Sequence, residues 1–95
     1  MINTVHFFVS GRVQGVGFRR FVNDIANKNN LTGWVRNTPD NAVEIYAKGQ
    51  TKDIVNLIDA CQKGPTFAFV EKISFSDKNP PSDNEQGLSS FFIWR

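Results

Sequence analysis

The chain contains only one cysteine and one histidine. Cys61 has no partner for an internal disulfide, and a cysteine-based metal site would have too few ligands. His6 stands on a strand-like stretch with nothing at ligand spacing beside it, so it reads as a structural or exposed histidine. No paired carboxylates of the kind used in general acid–base work are evident. No apolar run reaches membrane-spanning length. The start, M-I-N-T-V-H, lacks the basic region and long apolar stretch of a signal peptide. The net charge is only +2, with basic and acidic residues scattered, so the basic stripe that a long nucleic acid calls for is missing. These absences predict one soluble domain over residues 1–95 in the reducing cytoplasm. They predict no metal, no cofactor, no nucleic-acid partner and no membrane.

Aromatic residues, by contrast, are plentiful, and nine of them are phenylalanine, enough to fill a core. Val5, Phe7 and Val9 alternate with His6, Phe8 and Ser10 as a first strand. Phe18, Phe21, Val22, Ile25 and Ala26 recur at helical spacing, and that helix should stop near Asn29 and Asn30. Leu31 to Asn37 reads as a second strand, the cluster from Thr38 to Asn41 as a turn, and Val43, Ile45 and Ala47 as a third strand. Thr51 is a good N-cap for a second helix with Ile54, Leu57, Ile58 and Cys61 facing inward, ended by Gly64-Pro65. Phe67 to Phe75 reads as a strand with a bulge, Asp77 to Ser89 as a loop, and Ser90 to Trp94 as a short last strand.

The order βαββαβ with a short terminal strand is the α+β, ferredoxin-like split βαβ pattern: an antiparallel sheet with both helices on one face. In that topology the first and second strands run parallel with the third between them. Their C-terminal ends therefore share one sheet edge, roughly 10 Å apart.

At that edge the residues become chemical. Gly11 to Arg20, G-R-V-Q-G-V-G-F-R-R, links a strand to a helix, and such a glycine-rich turn leaves backbone N–H groups aimed at one point, which suits a phosphate. Arg19 falls in the first helical turn, where its guanidinium can fork onto phosphoryl oxygens. Glycines beside an arginine are not diagnostic alone, and such turns are often only structural. Arg12 reads either as a surface residue or as an attraction for an anionic substrate. Arg20 and Arg36 read as solvated surface residues, and Trp34 and Trp94 as packing residues.

With L-T-G-W-V-R-N-T at Leu31–Thr38 added, the pattern resembles the acylphosphatase family over essentially the whole chain, including V-E-K-I at Val70–Ile73 and F-x-I near the C-terminus. The resemblance implies metal-free hydrolysis of a carboxyl–phosphate anhydride with no covalent intermediate; inorganic phosphate is expected to inhibit as product, and a monomer is the simplest expectation. It implies Arg19 and Asn37 as catalytic residues. It also implies a phosphate cradle of Arg12, Val13, Gln14, Gly15, Val16, Gly17 and Phe18, mainly through backbone N–H groups, with Thr38 assisting. Three positions depart from the family's common pattern: Asn30 and Asn41 stand where glycine is frequent, and Arg95 where many members end on an aromatic. Both asparagines are expected at positive φ.

Other classes fit less well. RNA-recognition domains share the strand order, but their aromatic pair belongs on the third strand, which here reads V-E-I-Y-A-K. A metal carrier of this fold needs paired cysteines. The acylphosphatase-like part of hydrogenase-maturation carbamoyltransferases is a closer rival, but the length of this chain favours a free-standing hydrolase.

Overall fold

The computed structural model describes residues 1–77 and 90–94. Seven elements follow one another: β1 (Ile2–Arg12), α1 (Phe18–Lys28), β2 (Thr32–Asn37), β3 (Val43–Gln50), α2 (Thr51–Lys63), β4 (Phe69–Phe75) and β5 (Phe91–Ile93). The strands form one sheet in the order β4-β1-β3-β2-β5. The first four pair antiparallel as expected, and β5 joins β2 in parallel, so the five-stranded sheet is mixed. Arg95 and most of the stretch read as a loop (78–89) lie outside the described residues.

Alternation along β1 sends Phe7 and Val9 to one side and His6 and Phe8 to the other. Phe7 and Val9 are fully buried and join Val35, Ile45 and Ala47 of the neighbouring strands. Phe18, Val22 and Ala26 of α1 and Ile54, Leu57 and Cys61 of α2 pack onto them. Burying each large apolar side chain there stabilises the fold by roughly 1.5–3 kcal/mol. Burial pushes the Cys61 thiol up to about 12, so Cys61 behaves as an inert core residue.

The end of α1 shows how the sequence stops a helix. Asn30 has φ 60, Leu31 N–H donates to Ala26 O at 2.9 Å, and Asn30 N–H to Asn27 O at 3.2 Å. That is the Schellman pattern, with asparagine in the left-handed position usually given to glycine. Leu31 then turns into the core, and β2 begins at Thr32. The side chain of Asn27 pairs with both backbone groups of Phe91, which ties β5 to the same helix.

Several boundaries differ from expectation: Gly11 and Arg12 belong to β1 and not to the turn, β2 opens one residue late and β5 is shorter at both ends, and two further shifts have a clear cause. Thr51 is the first residue of α2 and not its cap; the cap position belongs to Gln50, whose side chain makes no capping bond. The reason is strand register: Ile2 pairs with Gln50, so the carbonyl of Met1 reaches the N–H of Thr51 at 3.1 Å. That carbonyl satisfies an orphan donor at the helix start, and the Thr51 hydroxyl bonds to Met1 O and Asn3 instead. The fourth strand starts at Phe69 because Ala68 N–H closes a turn onto Pro65 O. The expected bulge is present. Ser10 pairs with Lys72 and Gly11 with Val70, leaving Glu71 as the extra residue.

Candidate active site

The loop between β1 and α1 and the turn between β2 and β3 stand side by side at one sheet edge. Gly15 (φ 74) and Gly17 (φ 81) both adopt the left-handed conformation, and Gly17 sits at the N-cap of α1. An L side chain rarely takes that conformation, which is why the loop needs glycine at both positions. Between them the chain turns sharply enough to place Arg19 in the first helical turn. Val13 is anchored in the core, 1 % exposed.

Gln14 joins the two segments. Its amide nitrogen, Nε2, donates to Thr38 O at 2.9 Å and to Ala42 O at 2.8 Å, across the gap between loop and turn. The turn itself is built by Thr38. Its N–H donates to Ala42 O, its hydroxyl accepts from Ala42 N–H at 3.0 Å and contacts Asp40, and Asn41 takes φ 73. The Thr38 hydroxyl is thus engaged in shaping the turn.

A cleft of about 580 Å³ opens between these segments, lined by Arg19 from α1 and by Asn37, Thr38 and Pro39 from the end of β2 and the turn. Asn37 Oδ1 is buried and has no hydrogen-bond partner among the described residues. A buried carbonyl oxygen left unpaired is uncommon in a folded protein, so Asn37 stands at the cleft with one polar atom unsatisfied. A second hollow of about 220 Å³ lies against Gly15, Gly17, Phe18 and Arg19. Arg19 is common to both. Of the residues singled out in the sequence, Arg19, Asn37 and Thr38 share the cleft, and Gly15, Gly17 and Phe18 meet Arg19 in the hollow. Gln14 acts as a brace between loop and turn. Arg12 at the exposed end of β1, Val13 and Val16 are not among the residues lining either space.

The cleft also holds three residues to which the sequence reading gave no place in the site: Arg36, Glu44 and Trp94. Arg36 is not a solvated surface residue. Its Nε donates to Glu44 Oε1 at 2.8 Å, and its guanidinium lies 4.4 Å from the ring centre of Trp94. Glu44 is 3 % exposed, and its other oxygen accepts from His6 Nε2 at 2.6 Å. A usable signal was present in V-E-I-Y-A, a charged residue in the middle of an apolar central strand. Such a residue is buried only with partners, and register supplies them. Phe8, Glu44 and Arg36 lie in one cross-strand row and His6, Tyr46 and Trp34 in the next. Among the described residues no cluster of three or more His, Cys, Asp or Glu side chains is placed to hold a metal ion.

The acylphosphatase family model matches residues 5–93. The chain belongs to the acylphosphatase family. Among its relatives, the acylphosphatase of Trichormus variabilis is 41 % identical over 91 residues, which cover 96 % of this chain and 85 % of that one. The crystal structure of acylphosphatase from Bacillus subtilis covers the whole of both chains with a TM-score of 0.85 and 36 % identity. The structure of T. kodakarensis HypF also matches the whole chain, with a TM-score of 0.78 and 33 % identity, but only 12 % of its own length takes part. Family, enzyme class and ferredoxin-like architecture are therefore those expected from the two acylphosphatase motifs.

Proposed function

We propose that this acylphosphatase hydrolyses the carboxyl–phosphate anhydride of small acyl phosphates by direct attack of water on phosphorus. The observation that carries the mechanism is the meeting of Arg19 and Asn37, from separate elements, on one cleft, with Asn37 Oδ1 buried and unpaired. Arg19 and the N–H groups of the Val13–Phe18 loop hold the phosphoryl oxygens and balance the charge that builds on them. Asn37 fixes the direction of the attacking water through its side-chain amide, with its carbonyl oxygen and NH₂ group.

As the water oxygen bonds to phosphorus, the bond from phosphorus to the carboxylate oxygen breaks. The carboxylate leaves with the bonding pair and, being a weak base, needs no general acid. The water's proton passes to a phosphoryl oxygen, so the products are a carboxylate and inorganic phosphate. Phosphate then competes with substrate at Arg19. In this reading the catalyst acts as a monomer in the cytoplasm.

Phosphate release from benzoyl phosphate, followed with a metal chelator present, tests the proposal. Undiminished turnover supports a metal-free hydrolase. Folded protein that releases no phosphate returns this fold to a binding role.

A further inference from the structure

Arg36 immediately precedes Asn37 on β2, and alternation sends its side chain to the face of the sheet away from the helices. Two contacts fix it there. Glu44 Oε1 accepts from its Nε at 2.8 Å, while Glu44 Oε2 is held by His6, so the carboxylate cannot swing away without losing both partners. The guanidinium carbon lies 4.4 Å from the ring centre of Trp94 and 5.3 Å from that of Trp34, within cation–π range of both. The ion pair runs through Nε, and the terminal Nη groups have no other polar partner among the described residues. An arginine that served only to neutralise Glu44 would not need to line the cleft it shares with Arg19. The cleft wall carries two guanidinium groups against one carboxylate, and both oxygens of that carboxylate are engaged. Its volume, about 580 Å³, exceeds what a phosphoryl group fills, given roughly 30 Å³ for each water displaced.

We propose that Arg36 is a specificity-determining residue that binds a second carboxylate, carried on the acyl half of the substrate, while Arg19 and the glycine loop hold the phosphoryl group. The inference rests on the acyl phosphate reading above. The terminal Nη pair of a guanidinium matches the two oxygens of a carboxylate, and a fork already oriented by Glu44 and Trp94 loses little freedom on binding. The favoured substrate class is the mono-acyl phosphate of a dicarboxylic acid. Glu44 is a positioning residue in this scheme, acting through Arg36.

Benzoyl phosphate and its 3-carboxy and 4-carboxy derivatives share the reacting anhydride and the ring and differ in the second charge, so their kcat/KM ratios isolate it. The wild-type protein is expected to favour at least one carboxybenzoyl phosphate over benzoyl phosphate by roughly tenfold, mainly through KM. Arg36→Ala should bring that ratio to about one, Arg36→Lys should restore part of it, and Glu44→Gln should fall between. Because each ratio is taken within one preparation, partial misfolding of a variant does not disturb it. Equal rates on all three substrates in the wild type, or a ratio unchanged by Arg36→Ala, overturns the assignment of Arg36 and leaves the hydrolase standing. Failure of the wild type to cleave benzoyl phosphate removes the hydrolase and this inference with it.

Discussion

Beneath α1 and α2 the sheet presents Phe7, Val9, Val35 and Ile45, all fully buried against apolar helix residues. On its other face Trp34, Tyr46, Glu44 and His6 are buried almost as deeply, although neither helix lies over them. The two faces are held by different forces. Apolar contact under the helices is non-directional, so it accepts any filling of similar shape and volume. The opposite face is a chain of directed contacts, from His6 to Glu44 to Arg36 to Trp94, in which each group has an orientation as well as a place. One face thus holds the sheet together, and the other aims a side chain into the cleft at its end.

The edge where the faces meet should show the largest effect. Arg19→Ala is expected to lower kcat/KM on benzoyl phosphate by about a thousandfold or more with little change in melting temperature, and lysine should rescue it poorly. Asn37→Ala should lose roughly a hundredfold in kcat while keeping its affinity for inorganic phosphate, since a group that directs water acts in the transition state. Phosphate binding lost with kcat retained would make Asn37 a substrate ligand.

Next come the faces themselves. Phe7→Ala should destabilise the protein by about 3–5 kcal/mol in urea unfolding, through lost burial and the cavity left behind. Glu44→Ala should cost less, about 1–3 kcal/mol, because Arg36 is partly exposed and can turn toward solvent once freed. If Glu44→Ala were as damaging as Phe7→Ala, the two faces would be held equally firmly and the contrast between them would collapse.

The helix-covered face was legible in the sequence because its signals are local. Alternation in β1 and β3 and the spacing of Phe18, Val22, Ile54 and Leu57 state directly which side chains turn inward. Arg19 and the glycine loop were legible for the same reason, being contiguous. The Glu44 network was not, because its three members come from three strands and meet only through register. Arg36 therefore reads as an ordinary surface charge until β2 and β3 are aligned. The N-terminus of α2 escaped for a similar reason: its capping carbonyl belongs to Met1, fifty positions upstream of Thr51.

The smallest expected effects lie in the turns outside both faces. Asn30→Gly and Asn41→Gly should each shift stability by no more than about 1 kcal/mol, as relief of positive φ is offset by a more flexible unfolded chain. Valine at either site should be clearly worse, and denaturant midpoints of the paired variants measure the difference.

The amide of Gln14 has a consequence for any attempt to redesign this molecule. It grips two carbonyls, Thr38 O and Ala42 O, that bracket the turn, so the span of that turn sets where the loop can rest. Adding or deleting a residue between Pro39 and Asn41 is therefore not a local edit. It displaces one of the two handholds, and the tension is passed to the segment that carries Arg19. Loop and turn form a matched lock, and a segment transplanted from a relative has to bring its counterpart along.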